Sequence, residues 1–429
     1  MKICVFGLWH LGSVTAACLA EAGFKTVGLD FDNPTVTKLR DGIPPLFEPG
    51  LEDLIRASLA AGTLSFRDDP AAVEDADLVW VTFDTPVDDE DRADPAFVTG
   101  RVERLFPHLQ NGAVVLISSQ LPVGSTRALA ERFAAVANGR CVSFAYSPEN
   151  LRLGRALEVF KNPERIVIGT ADDHSRKVIE GVCGRFADQL IWTSIESAEM
   201  VKHALNAFLA TCVTFINEVA SVCERVGADA SEVEVALRSE PRIGQKAYIR
   251  PGAAFAGGTL ARDVRFLTGL GGNLGLSLPL LSGILPSNDE HRKWPARRLI
   301  EWLGSVKDKR VGVLGLSYKP GTDALRRSVA IELCRWLVGE GAQIRACDPA
   351  VRALPREFAE AIELVPSATA AAQGADALIV ATEWPEFKSL SVDDVVRDMR
   401  SPIVLDQNRF LGGTFMTDAR IRYVTLGKP

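Results

Sequence analysis

Over the first 170 residues, short apolar runs alternate with stretches of helical periodicity. Lys2–Phe6, Thr26–Phe31, Leu78–Phe83, Val114–Ser118, Val142–Tyr146 and Arg165–Ile168 are near-continuously apolar. Runs of that kind fit parallel strands covered on both faces, and Leu11–Ala22 reads as a crossover helix between two of them. The pattern predicts a doubly wound α/β unit.

From Ser197 to about Val226 the pattern becomes one long helix, AEMVKHALNAFLATCVTFINEVASVCERV. Its apolar positions are too many for a narrow stripe, so burial on several sides is expected. About 30 residues of helix would span about 45 Å, enough to bridge two domains and carry an oligomer contact. A Gly/Ala-rich segment follows at 251–263, with more helix to about Leu303. A second α/β series starts at Arg310, with strands expected at Val311–Leu316, Ile344–Cys347, Ala377–Ala381 and Ile403–Leu405. Its opening, VGVLGLSYKPGTD, echoes VFGLWHLG near the N-terminus. The expected fold is therefore α/β, with two Rossmann-like doubly wound domains (1–195 and 301–429) joined by a central long-helix dimerisation region (196–300).

Composition bounds the function. The 429 residues carry 48 Lys+Arg against 55 Asp+Glu, a net −7, which argues against a surface built for nucleic acid as a whole. No apolar run reaches the ~18 residues of a spanning helix, and no basic leader precedes the first strand. A soluble, cytoplasmic chain with no membrane partner is expected. The eight cysteines are scattered with no C-x-x-C pair, and the five histidines stand apart from other ligand types. Buried thiols and no metal site are the expectation.

The first chemical signal lies at the N-terminus. In KICVFGLWHLGSVTAACLAEAGFKTVGLD, Gly7 and Gly12 stand between a strand and a helix, and Asp30 closes the next strand. In a Rossmann turn the first glycine makes the bend and the last lets helix pack on strand. The pyrophosphate then rests on the helix N-terminus, and the acid binds the ribose hydroxyls, favouring NAD over NADP. The middle glycine position is Trp9, whose indole stands where cofactor phosphates normally approach the backbone.

Further motifs follow in order: FEPGLEDLI, DTPVDDED, LPVGST, YSPENLRLGRALEVFKNPERIVIG, SAEMVKHALNAF with FINEVA, EPRIGQK, PGAAFAGGTLARD, GLSYKPGTDALRRS, CDP and ATEWPEF. With these the chain resembles the UDP-glucose/GDP-mannose dehydrogenase family over nearly its whole length. The resemblance implies an NAD-dependent enzyme that oxidises the C6 alcohol of a nucleotide sugar. Typical members remove two hydrides and end at a carboxylate. It also implies NAD on the N-terminal domain, the nucleotide sugar on the C-terminal domain and a homodimer through the central helices. UDP-glucose is the default substrate, because FINEVA and FEPGLEDLI fit that branch.

Carried over position by position, the resemblance makes Lys202 and Asn206, one helical turn apart, stabilisers of oxygen anions developing at C6. Asp263 matches an aspartate that binds a catalytic water, and Glu149 a glutamate that handles water or protons. Cofactor contacts are expected from Gly7, Trp9, Leu11, Gly12, Asp30, Thr85, Gln120, Leu153, Arg262 and Arg326. Substrate contacts are expected from Asn150, Leu151, Arg152, Tyr248, Gly252 and Lys319, and from Arg242 reaching across the dimer.

The chain departs from the family at one decisive place. Thr259 occupies the position of the nucleophilic cysteine. A thiol supplies thiolate readily; a threonine hydroxyl does not, and no histidine stands in a nearby motif as its base. Leu153 stands at a second glutamate position, Gln120 at a threonine, Arg262 at a lysine and Ala256 at a glycine. Three readings follow. One is a dehydrogenase that can stop at the aldehyde. Another is oxidation at a different carbon or an epimerisation. The third is an inactive nucleotide-sugar-binding regulator.

Overall fold

The computed structural model describes residues 1–88, 93–149 and 151–428. By its contacts the chain divides into two compact units, Met1–Ala204 and Leu205–Pro429. The helix Ile195–Val226 runs from the first into the second.

The first unit is built on eight strands: β1 (Lys2–Phe6), β2 (Lys25–Leu29), β3 (Leu64–Arg67), β4 (Leu78–Val81), β5 (Val114–Ile117), β6 (Ser143–Tyr146), β7 (Ile166–Gly169) and β8 (Leu190–Thr193). Their order is β3-β2-β1-β4-β5-β6-β7-β8. Alternate residues feed two cores. Ile3, Val5, Trp80 and Leu116 pack on one face. Cys4, Phe6, Val79, Val81 and Ile117 pack on the other. This is the two-sided burial that the unbroken apolar runs imply.

One strand differs from the parallel expectation: β7 meets β6 antiparallel, through Tyr146 and Gly169. The connection between them, which includes the short helix Ala156–Lys161, therefore starts and ends at the same edge of the sheet. That is the carboxyl edge of β1 and β4–β6, where α/β sheets bind ligands. Residues Ser147–Glu149 are placed there.

The second unit carries six parallel strands: β9 (Arg310–Leu314), β10 (Gln343–Cys347), β11 (Ile362–Leu364), β12 (Ala377–Val380), β13 (Ile403–Asp406) and β14 (Arg422–Val424). Their order, β11-β10-β9-β12-β13-β14, repeats the first six positions of the other sheet. The repeat extends to single atoms. Ser13 Oγ donates to Leu8 O at 2.8 Å, and Ser328 Oγ to Leu316 O at 2.6 Å. The backbone N–H of Leu8 donates to Asp30 at 2.7 Å, and that of Leu316 to Asp348 at 2.7 Å. The echo between VFGLWHLG and VGVLGLSYKPGTD is thus a structural equivalence.

By length and composition alone the 32-residue helix Ile195–Val226 is apolar enough to cross a membrane, as the core helix of a packed domain also is. Its Ala, Leu, Phe, Val and Cys residues keep the average apolar, while Thr211, Thr214, Asn217 and Glu218 break the uninterrupted run.

Candidate active site

The turn after β1 is shaped for close approach. Gly7 has φ +102°, and a Cβ on Gly12 would sit 1.7 Å from the Gly7 carbonyl oxygen. Helix His10–Glu21 can pack on the strand only because position 12 has no side chain. Thr82 Oγ1 donates to Gly7 O at 2.8 Å and fixes the bend from β4. Asp30 accepts Leu8 N–H on one oxygen and Asp32 N–H, at 3.1 Å, on the other. Each carboxylate oxygen keeps a further lone pair for a ribose hydroxyl. Trp9 caps the helix with an ordinary negative φ of −73° and is half exposed. Its backbone makes no demand for glycine. These residues fit a dinucleotide. Thr85 Oγ1 donates to Gln120 O at 2.6 Å, tying together two loops expected at the cofactor.

A second cluster stands in the same unit. Lys202 Nζ donates to the Glu149 carbonyl at 2.7 Å and reaches its carboxylate at 3.3 Å. The other Glu149 oxygen accepts Leu151 N–H at 2.9 Å. Leu11, Glu149 and Leu151 line a cavity of about 80 Å³ walled by Trp80, Phe160 and Phe186. Arg152 and Leu153 are exposed. Asn150 lies outside the described residues.

Two acids absent from the expected site hold these loops. Glu48, from FEPGLEDLI, is buried and accepts Gly154 N–H and Ala156 N–H, each at 2.8 Å, while pairing with His10 Nε2 at 2.9 Å. Glu199 is wholly buried and accepts the N–H groups of Gly124 and Thr126 at 2.6 and 2.9 Å, at the start of helix Ser125–Val136. The available signal was an acid inside a motif whose neighbours are apolar.

In the second unit, Asn206 Nδ2 donates to the carboxylate of Asp263, and both are buried. Asp263 stands one turn after Thr259, which opens the helix Thr259–Asn273 and is exposed. Among the described residues the Thr259 hydroxyl has no hydrogen-bond partner. The segment before it is clamped. Asn217, Asn408 and Asn288 accept the N–H groups of Gly252, Ala253 and Phe255 at 3.0, 2.6 and 3.0 Å. Asn288 also donates to Phe255 O at 2.9 Å, and His291 Nε2 meets Gly252 O at 2.8 Å. Burial lowers the His291 pKa, favouring the neutral ring.

Arg242 is exposed and paired with Glu240, and Tyr248, Lys319 and Arg326 are exposed. Arg262 is half buried. Burial pushes the thiols of Cys4, Cys18, Cys183 and Cys334 up to about 12 and that of Cys347 up to about 11. These thiols are inert as nucleophiles at neutral pH.

A Rossmann turn with an acid for ribose, beside a lysine–carboxylate pair, defines a dinucleotide-dependent dehydrogenase. Comparison with known proteins makes the assignment particular. The description "UDP-glucose/GDP-mannose dehydrogenase family" matches three times: its NAD binding domain at residues 1–187, its central domain at 196–290 and its UDP binding domain at 312–412. The chain belongs to this family; it is an NAD-dependent nucleotide-sugar dehydrogenase, with NAD as cofactor.

Among relatives, the UDP-glucose 6-dehydrogenase TuaD of Bacillus subtilis is 33% identical over 433 residues, covering 100% of this chain and 93% of the relative. The UDP-glucose 6-dehydrogenase of Rhizobium meliloti is 33% identical over 438 residues, covering 100% of both. The structure of a UDP-glucose dehydrogenase from Pyrobaculum islandicum superposes with a TM-score of 0.85 at 30% identity, covering 100% of this chain and 98% of that one.

Proposed function

We propose that this enzyme oxidises the C6 alcohol of a UDP-hexose, UDP-glucose by default, and releases the aldehyde after a single hydride transfer. The observation that carries this reading is Thr259 in place of a thiol, exposed at the first turn of its helix with no hydrogen-bond partner among the described residues. NAD, when bound, supplies the hydride acceptor. In this reading the Lys202 ammonium favours the alkoxide that develops as the C6 hydroxyl loses its proton, and Glu149 takes that proton. Asn206 offers an amide donor one turn along the same helix, and Asp263 orients that amide and a water. Nothing captures the aldehyde covalently, so a second oxidation has no acyl-enzyme route.

In the same reading NAD binds through residues 1–195 and the sugar nucleotide through 301–429, with Lys319 and Arg242 meeting the diphosphate and sugar. The segment 196–300 dimerises. Phe208, Phe215 and Val222 recur at intervals of seven along the long helix and are 64%, 49% and 60% exposed, the spacing of a helix–helix seam. Phe215→Glu is expected to turn a dimer into a monomer in sedimentation velocity; a wild-type monomer at micromolar concentration would refute the seam.

The reaction itself is tested by NADH formed per UDP-glucose consumed. One is expected, rising towards two in Thr259→Cys. A wild-type yield of two would sink the aldehyde reading. No NADH, with UDP-glucose bound, would favour the regulator. A product of unchanged mass with C4 or C5 inverted would favour epimerisation.

A further inference from the structure

The two Rossmann-like units share an acid at the end of their second strand, but the acids differ in what they have left to offer. Asp30 takes one backbone N–H on each oxygen. Asp348 takes five donors. One oxygen receives the N–H groups of Leu316 and Ser317 at 2.7 and 2.9 Å and the Trp384 indole N–H at 3.2 Å. The other receives Ala350 and Val351 N–H at 2.9 and 3.1 Å. A carboxylate has about four lone-pair sites, so none remains for a ribose hydroxyl. The acid that reads ribose in one unit serves as a fastener in the other.

What it fastens is the base of the loop 318–327, which carries Lys319 and Arg326. Ser317 is gripped from three sides. Its N–H donates to Asp348, its hydroxyl oxygen accepts the Trp384 indole N–H at 3.0 Å, and its carbonyl accepts the Thr382 hydroxyl at 2.8 Å. At the loop's far end, Ser328 Oγ closes back on Leu316 O at 2.6 Å. All these residues are buried, whereas Lys319 is exposed. Burial raises the Asp348 pKa, but the N–H donors of Leu316, Ser317 and Ala350 outweigh it and hold the carboxyl below its ordinary range. The fastener is therefore charged at neutral pH. A long, solvated lysine can meet a diphosphate at low entropic cost only if its backbone is held.

We propose that Asp348 and Trp384, the otherwise unassigned acid of CDP and indole of ATEWPEF, are positioning residues that hold the loop base so that Lys319 meets the nucleotide-sugar diphosphate. This deepens the substrate reading above and rests on Lys319 touching that ligand.

The test is UDP-glucose titration of the full chain by calorimetry. Trp384→Phe keeps an aromatic ring and removes both hydrogen bonds of the indole N–H; Thr382→Val keeps the shape and removes the bond to Ser317. Each is expected to weaken UDP-glucose binding about five- to tenfold, the effect of one or two hydrogen bonds. Lys319→Ala should weaken it at least as much, and Trp384→Phe combined with Lys319→Ala should be no worse than Lys319→Ala alone. If Lys319→Ala weakens binding but the losses add, the positioning role is overturned while the substrate reading stands. If Lys319→Ala changes nothing, the substrate reading of the loop falls and the inference with it. Should Trp384→Phe fail to fold, Thr382→Val decides by the same comparison.

Discussion

Lys202→Ala is expected to lower kcat by about 10²–10³-fold, the usual effect of removing one donor from a developing oxyanion. The side chain is only 11% exposed, so water does not replace the ammonium freely. The substitution also removes the hydrogen bonds to the Glu149 carbonyl and carboxylate. Chemical rescue separates the two effects: a small alkylammonium added to Lys202→Ala should restore part of kcat if the charge itself acts on the substrate. Lys202→Arg should not restore it, because a planar fork cannot place one compact charge at the same point. A kcat within threefold of the wild type would remove Lys202 from the chemistry and leave it as a support for the Glu149 segment.

Gly12→Ala should abolish measurable NAD binding and destabilise the first unit by about 3 kcal/mol, the upper end for overpacking. The added methyl meets a backbone carbonyl at 1.7 Å, which no rotamer change can relieve. Either the helix moves off the strand or the turn opens, and both displace the N–H groups that face the pyrophosphate. Urea unfolding and an NAD titration measure the two parts. A variant that kept both would show that the helix can retreat without loss.

The strands that sequence reading locates are those buried on both faces, because an unbroken apolar run survives wherever the sheet is covered twice. β3, β8, β11 and β14 escape it. They are three or four residues long, and β8 is partly exposed at every position, so each offers too short or too mixed a pattern. The reversed direction of β7 escapes for another reason: strand direction is set by the path of the connection, which leaves no periodic trace.

The site divides in the same way. Gly7, Gly12 and Asp30 are legible because turn, helix and strand fix their spacing locally. Thr259 is legible through the motif around it. Glu48 and Glu199 are not, since the backbone amides they hold lie 106 and 73 residues away or more. An acid that satisfies distant backbone amides looks, in sequence, like any other acid. The same holds for Asn217 and Asn288, whose amides clamp the segment leading to Thr259.

Glu48 has a mechanical consequence. One buried carboxylate holds both His10, at the first turn of the dinucleotide helix, and the amides of Gly154 and Ala156, just beyond Glu149. Neither side can be displaced without stretching a bond to the other. The first turn of the dinucleotide helix and the segment that carries Glu149, the proposed proton acceptor, are therefore geared together through one carboxylate.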